Sequence, residues 1–264
     1  MRRREFIAGL GSAAAWPLVA RAQQTDRVRR IGVLMSGDEN DPGRDRLSRF
    51  TQALADLGWS DGRNVRMDLR WGGGDNNRSR ALARELVGLQ PDIIVTNGTP
   101  ATAAVQRETR TIPIVFATVA DPVAGGIVPR LNQPGGNATG FALYEPTLAG
   151  KWLELLTEIA PGLKRAAIMF NPDTAPVSTY VPPFETAARS LKVEPIIARV
   201  HSDAEIETAI IALGGEPGGG LVVINDTFTS VHRAPIISAA ARANVPAVYS
   251  VSDSAGSIEQ RRGK

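Results

Sequence analysis

Short polar side chains follow several predicted strands of this sequence at the points where the strands end. The segments are Ser36-Gly37-Asp38, Thr96-Asn97-Gly98-Thr99, Thr118 to Asp121, Asn171-Pro172-Asp173-Thr174 and Asn225-Asp226-Thr227. Hydroxyl groups and free backbone N–H groups at helix starts are suited to hold a carboxylate, and an aspartate is suited to hold an ammonium group. Together the segments predict a site for a zwitterionic or otherwise polar small solute. The alternative is that each residue only caps a helix, as these residue types commonly do.

Residue types that enzymes commonly use are scarce. The chain has no cysteine and only two histidines, His201 and His232, which are not spaced as metal ligands. Beyond the N-terminal segment there is no G-x-S-x-G nucleophile motif and no G-x-x-x-x-G-K-[ST] loop, and no G-x-G-x-x-G turn follows the first strand. We therefore predict a binding protein without catalytic residues, metal or cofactor. An exported α/β enzyme with a two-lobed cleft is the alternative.

The elements that must position these polar segments alternate between short β-branched runs and helical patterns. This alternation is typical of parallel sheets built from βαβ units. In such sheets a ligand binds beyond the carboxyl ends of the strands, where the polar segments lie. The predicted strands cover residues 30–36, 65–71, 92–96, 113–118, 139–141, 164–170, 193–200, 220–225 and 246–249.

The order of strands and helices restarts halfway along the chain, which indicates an internal repeat. In this repeat Ser36 matches Asn171, Thr96 matches Asn225, and Pro113 matches Pro246. The sequence therefore predicts an α/β protein of two similar Rossmann-like lobes, each a parallel sheet flanked by helices. One long doubly wound sheet is the alternative.

The N-terminus has the composition of an export signal. Arg2 to Arg4 form a basic region, an apolar stretch follows from Phe6 to Ala20, and Ala20-Arg21-Ala22 predicts cleavage before Gln23. The apolar stretch is shorter than the roughly 20 residues that span a bilayer, so we expect no stable membrane anchor. Arg3 and Arg4 fit the twin-arginine export pattern, with the general secretory route as the alternative. We predict residues 1–22 as the signal peptide, 23–145 as the first lobe and 146–264 as the second.

The basic excess of the chain lies within this N-terminal segment. The whole chain has 30 basic and 27 acidic residues, and residues 1–22 contain four arginines and one glutamate, so 26 of each charge follow them. A nucleic-acid-binding protein needs a basic patch in its folded part, so we expect no nucleic-acid partner. We predict a periplasmic location.

Many ordered motifs resemble one known family, the ABC transporter substrate-binding proteins of the tryptophan/tyrosine type. They extend over roughly residues 28–249 and include Leu57-Gly58-Trp59, Gly62-Arg63-Asn64-Val65, Asp121-Pro122-Val123, Pro134 to Gly140, and Phe170-Asn171-Pro172-Asp173. The resemblance implies a type I periplasmic-binding fold that closes on a small polar solute, with an amino acid as one candidate. It also implies delivery of the solute to an ABC permease in the inner membrane, and we expect a monomer.

The resemblance also implies which residues face the cleft. The matching positions are Ser36, Thr96, Asn97, Thr99, Asp121, Asn171, Asp173 and Asp226. After Tyr249 the sequence turns polar and departs from the family pattern, so we expect a second lobe that is incomplete at its C-terminus. A receptor that feeds a sensor kinase or a chemoreceptor is the alternative within the binding class.

Overall fold

The computed structural model describes residues 28–39, 43–143, 145, 147–174 and 179–250 of the chain. The predicted signal peptide at residues 1–22 and the polar segment after Ser250 lie outside the described residues. The predicted lobe boundary between residues 145 and 146 stays a prediction.

The first half of the described chain forms one parallel sheet of five strands in the order β2-β1-β3-β4-β5. We call this sheet and its helices the first lobe. Its strands are β1 (Arg29–Met35), β2 (Val65–Trp71), β3 (Ile93–Asn97), β4 (Ile114–Val119) and β5 (Ala138–Ala142). Its helices are α1 (Gly43–Asp56), α2 (Asn76–Gly88) and α3 (Thr99–Glu108).

The second half forms a separate parallel sheet of four strands in the order β7-β6-β8-β9, which with its helices we call the second lobe. Its strands are β6 (Arg165–Phe170), β7 (Glu194–Arg199), β8 (Gly219–Val223) and β9 (Ala247–Tyr249). Its helices are α4 (Leu148–Ile159), α5 (Val181–Leu191), α6 (Asp203–Gly214), α7 (Thr227–Val231) and α8 (Arg233–Arg242). The predicted fold class is confirmed, and the alternative of one long sheet is wrong.

Local sequence explains where several helices begin. The Asp75 carboxylate accepts hydrogen bonds from the backbone N–H groups of the first turn of α2. Ser202 caps α6 by accepting from the Glu205 N–H, and Asp226 caps α7 by accepting from the Thr229 N–H. These caps satisfy donors that have no partner inside the helix.

The two lobes repeat each other strand by strand, which confirms two of the three matches predicted from the sequence. Ser36 and Asn171 directly follow β1 and β6, which take the same place in the two sheets. The Pro113 carbonyl accepts a hydrogen bond from the Ile94 N–H, and the Pro246 carbonyl accepts the equivalent bond from the Leu221 N–H.

The third match, of Thr96 with Asn225, is wrong by two residues. Leu34 pairs with Thr96 in the first sheet, whereas Met169, at the same position in the second sheet, pairs with Val223. Thr96 therefore corresponds to Val223, inside a strand, and the counterpart of Asn225 lies two residues after Thr96. The mismatch arose because Thr96 and Asn225 are both polar and both lie near the end of a strand.

The hydrophobic core consists of separate clusters in the two lobes. One cluster lies between the first sheet and helices α2 and α3. Two clusters lie on the opposite faces of the second sheet. Among the residues that the structure describes, no helix has the length and apolar character needed to cross a membrane.

Candidate functional site

A narrow cavity lies between the two lobes, where the strands of both sheets end. Its volume is about 30 Å³, enough for about one or two water molecules. Both lobes contribute to its wall, which is made mainly of hydroxyl, amide and charged groups. The lining residues are Ser36, Gly37, Arg46, Asn97, Gly98, Thr99, Thr118, Ala120 and Leu143 from the first half and Thr174, Asn225, Asp226, Thr227 and Ser230 from the second.

The lobes touch directly beside this cavity. Gly98 has a φ of +89°, and a Cβ atom added there would lie 2.7 Å from the Ser36 Oγ and 3.2 Å from the Thr227 Oγ1. This position therefore needs glycine for its backbone conformation and for the close approach of the second lobe. The Tyr180 hydroxyl donates to the Ala120 carbonyl across the lobes at 2.8 Å. The cleft is thus nearly closed.

Four of the eight predicted site residues line the cavity, namely Ser36, Asn97, Thr99 and Asp226. The Ser36 Oγ accepts a hydrogen bond from the Ala101 N–H at 3.0 Å, which caps the first turn of α3 and leaves the hydroxyl proton to donate elsewhere. The Thr99 Oγ1 accepts from the Ala120 N–H at 3.3 Å. Capping and cavity lining therefore occur in the same residues.

Thr96 and Asp121 do not line the cavity. Thr96 is 0% exposed, and its hydroxyl lies 2.8 Å from that of Thr102, so its contact with a solute stays a prediction that this cavity does not support. Thr96 lies inside β3, two residues before the position that matches Asn225. Its side chain therefore contacts Thr102 in the first turns of α3 and not the cavity. The Asp121 Oδ1 accepts from the N–H groups of Val123 and Ala124 in its own turn.

Asn171 and Asp173 also lie outside the cavity wall. The Asn171 Oδ1 accepts from the Asp173 N–H at 2.8 Å, and the Asn171 side chain is buried. Asp173 is exposed, and its carbonyl accepts from the Asn76 Nδ2 of the first lobe at 3.2 Å. These residues shape the second lobe's loop and its contact with the first lobe.

Asp226 lies on the cavity wall, but its carboxylate is occupied by its own lobe. Oδ2 accepts from the Asn171 N–H at 2.8 Å, and Oδ1 accepts from the Thr174 hydroxyl at 3.0 Å and the Thr229 N–H at 2.8 Å. Burial raises the pKa of Asp226 to about 6, and these hydrogen bonds limit the rise. Asp226 therefore holds two loops together through both carboxylate oxygens. The hypothesis that an aspartate of the polar segments holds an ammonium group stays a prediction.

Two lining residues that matter chemically were not among the predicted site residues. Arg46 lies on α1, where the sequence indicates only an amphipathic helix. Thr118 has a φ of +53°, and the pairing of β4 with β5 shifts register between Phe116 and Val119. A β-branched residue in the left-handed region is strained, and such strain concentrates at functional sites. The polar run from Thr118 to Asp121 was the available sequence signal.

The histidines lie away from the cavity wall. His232 Nδ1 lies 2.6 Å from Asp203 Oδ1, and His201 Nδ1 lies 3.1 Å from Glu205 Oε2. Within the ranges that the structure describes, no group of three His, Cys, Asp or Glu side chains could hold a metal ion. No lining residue pairs a nucleophile with a histidine base.

Two parallel sheets with matching strand order around one cleft define a two-lobed binding protein of the type I periplasmic kind. The chain belongs to the ABC transporter substrate binding protein family, whose sequence model matches residues 30–258. This family assignment confirms the resemblance inferred from the motifs.

Individual relatives agree with this assignment. The chain is 27% identical over 237 residues to the tyrosine-binding protein of Clostridioides difficile (strain R20291), a match that covers 89% of this chain and 68% of that protein. It is 26% identical, with a TM-score of 0.78, to a solved conserved domain protein from Vibrio cholerae, over 86% of this chain and 75% of that one. The solved ABC domain in complex with L-Trp from Streptococcus pneumonia is 24% identical with a TM-score of 0.76, over 85% and 75% of the two chains, and shares the fold.

Proposed function

We propose that this protein is the solute receptor of an ABC importer and that it binds an amino acid between its two lobes. The observation that carries the proposal is the cavity between the lobes, to which both lobes contribute hydroxyl and amide groups. A site of this kind can bind a solute on one lobe and gain further contacts as the other lobe closes. The similarity to a tyrosine-binding protein supports an amino acid as the solute class.

The chemistry of the wall suits a polar solute with both charges. Ser36, Thr118 and Thr227 each offer a hydroxyl that can donate or accept. The Asn225 Oδ1 already accepts from the Ser230 hydroxyl, so these two side chains form one fixed polar unit. Closure excludes water from the cleft, which strengthens each polar contact with the solute.

The receptor works in the periplasm, according to this proposal, and hands its solute to a permease in the inner membrane. The export signal predicted in residues 1–22 and the family assignment support this location and partner. The proposed role needs no catalytic step and no cofactor, because the permease and its ATPase move the solute. Binding and release through lobe movement are then the whole activity of this chain.

A thermal-shift screen against the twenty protein amino acids tests the proposal. A ligand at a hundred times its dissociation constant stabilises the folded state by about 2.7 kcal/mol, which raises the melting temperature by roughly 5–10 °C. We expect at least one amino acid to give such a shift. A screen in which none of the twenty shifts the melting temperature would contradict the proposal.

The Gly98→Ala variant tests whether the amino acid that raises the melting temperature binds in the cleft. The added Cβ would lie 2.7 Å from the Ser36 Oγ of the same lobe and 3.2 Å from the Thr227 Oγ1 of the other lobe. It should displace the Ser36 hydroxyl from the cavity wall and crowd the second lobe, so the amino-acid shift should become smaller. Gly62→Ala is the matched control, because Gly62 has a φ of +79° but nothing within 4 Å of the added Cβ. Gly62→Ala should lower the melting temperature slightly and keep the full shift.

A further inference from the structure

We propose that Arg46 holds the carboxylate group of the bound solute and thereby makes the cleft select acids over the matching amines. The inference rests on the proposed function and adds the chemical group that the solute must carry. Arg46 lies on the first lobe, one turn into α1, and lines the inter-lobe cavity.

The guanidinium of Arg46 has no polar partner in the part of the chain that the structure describes. No hydrogen bond or ion pair joins it to another described residue, although its side chain is partly buried. Other partly buried arginines of the same lobe are paired. Arg30 Nε lies 2.6 Å from Asp68 Oδ2, and Arg70 contacts the Glu85 carboxylate. Among the partly buried arginines of the first lobe, Arg46 therefore differs in having no partner for its charge among the described residues.

The other charged side chain of the described cavity wall forms no ion pair with Arg46. That side chain is Asp226, whose two oxygens already accept three hydrogen bonds from its own lobe. The cavity therefore presents a guanidinium without a described partner beside a carboxylate whose oxygens already accept hydrogen bonds within the second lobe. A solute group that accepts hydrogen bonds from a guanidinium is favoured beside Arg46.

A carboxylate fits this arrangement better than a single hydrogen-bond acceptor does. A guanidinium has five N–H donors in a planar fork, which matches the two oxygens of a carboxylate. The hydroxyls of Ser36 and Thr99 lie on the same wall and can add donors to the same group. When the lobes close, water leaves the cleft and the charge pair becomes stronger. An amino acid satisfies this site with its α-carboxylate.

The test compares Arg46→Gln with Arg49→Gln by calorimetric titration. Arg49 lies on the same helix, is exposed and does not line the cavity, so its variant controls for charge and helix propensity. Each amino acid that binds in the thermal screen is titrated beside its decarboxylated amine, as with L-tyrosine and tyramine. We expect Arg46→Gln to weaken amino-acid binding by about 10- to 100-fold and Arg49→Gln to leave it unchanged. Unfolding curves should stay close to the wild type, because Arg46 has no hydrogen bond or ion pair with a described residue to lose.

The amine series separates this inference from the proposed function. Wild-type protein should bind the amine at least about 10-fold more weakly than the amino acid, and Arg46→Gln should reduce that preference. If Arg46→Gln binds the amino acid as well as the wild type does, Arg46 is not the carboxylate partner and the receptor function still stands. A wild type that binds none of the twenty amino acids overturns the proposed function and this inference with it.

Discussion

The two lobes share one strand order but bury their sheets to different extents. In the second lobe both faces of β6 and β8 are buried, because Ile168 and Val222 pack under α4 and α5 while Met169 and Leu221 pack under α6 and α8. In the first lobe the face under α2 and α3 is buried in the same way. The opposite face is covered less completely, and its central Val95 stays partly exposed.

The difference has an identifiable cause among the described residues. Helix α4 precedes β6 and covers the second sheet together with α5. In the first lobe α1 takes the position of α5, none of residues 44–56 is fully buried, and no described element takes the position of α4. The second sheet is therefore covered by helices on both faces. The first sheet is covered well on one face and less completely on the face under α1.

The largest expected effect is an opposite response of the two lobes to pH. In the second lobe the pKa of Asp226 is raised from its ordinary 3.8 to about 6, so its charged form costs stability. Its contribution is fully present below about pH 4 and is lost as the pH rises through about 6. In the first lobe Arg30 holds the pKa of Asp68 below its ordinary value, so that contribution is lost as the pH falls.

The Asp226→Asn variant isolates the contribution of Asp226 in the second lobe. Wild-type protein should gain stability relative to the variant as the pH falls from 7.5 to 4.5, by roughly 2 kcal/mol. Denaturant unfolding of both proteins across this range measures the difference. The hydrogen bonds that asparagine cannot accept add an offset that does not depend on pH. A constant difference between the two proteins would show that Asp226 titrates normally.

A matched pair of valines sharpens the packing comparison. Val95 pairs with Val33 in the first sheet, and Val222 pairs with Ile168 at the same place in the second. Val222 is 0% exposed, so Val222→Ala should lower the free energy of unfolding by about 2–3 kcal/mol. Val95→Ala should cost about 1 kcal/mol or less, because its side chain is already partly exposed. Urea unfolding measures both, and equal losses would mean that the two faces are equally buried in solution.

The smallest expected effect concerns the hydrogen bond that joins the lobes. Tyr180 of the second lobe is buried against the Trp152 ring, and its hydroxyl donates to the Ala120 carbonyl of the first lobe at 2.8 Å. Tyr180→Phe keeps the ring and removes this bond, which should cost about 1 kcal/mol. Thermal unfolding should show a fall of a few degrees. An unchanged melting temperature would indicate that the bond is exchanged for water without loss.

The fold could be predicted from the sequence because its signals are local. Apolar runs such as Ile31 to Met35 and Ala166 to Phe170 indicate buried parallel strands, and each is followed by a helical pattern. The incomplete cover on the first sheet could not be predicted, because Val95 and Val222 have the same sequence character. What differs is the helix that packs over each, and that is a tertiary property.

The candidate site could be predicted in part. Ser36, Asn97, Thr99 and Asp226 could be predicted because they lie at or shortly after strand ends, and strand ends meet in the cleft. Arg46 was missed because its approach to the cleft depends on how α1 lies on the sheet, and helical periodicity does not give that. The role of Asp226 as an internal partner also needed the structure, since a capping aspartate and a solute-binding aspartate have the same sequence surroundings.

The most direct test of the account is the distance between the lobes with and without solute. The chain has no cysteine, so Ala81→Cys on α2 and Ala204→Cys on α6, both exposed alanines, allow one spin label in each lobe. Pulsed electron resonance then measures the distance between the labels before and after addition of a mixture of the twenty L-amino acids. We predict a shorter and narrower distance distribution with the amino acids, because the solute favours the closed cleft. A distribution that the amino acids leave unchanged would contradict the claim that the lobes close on a bound amino acid.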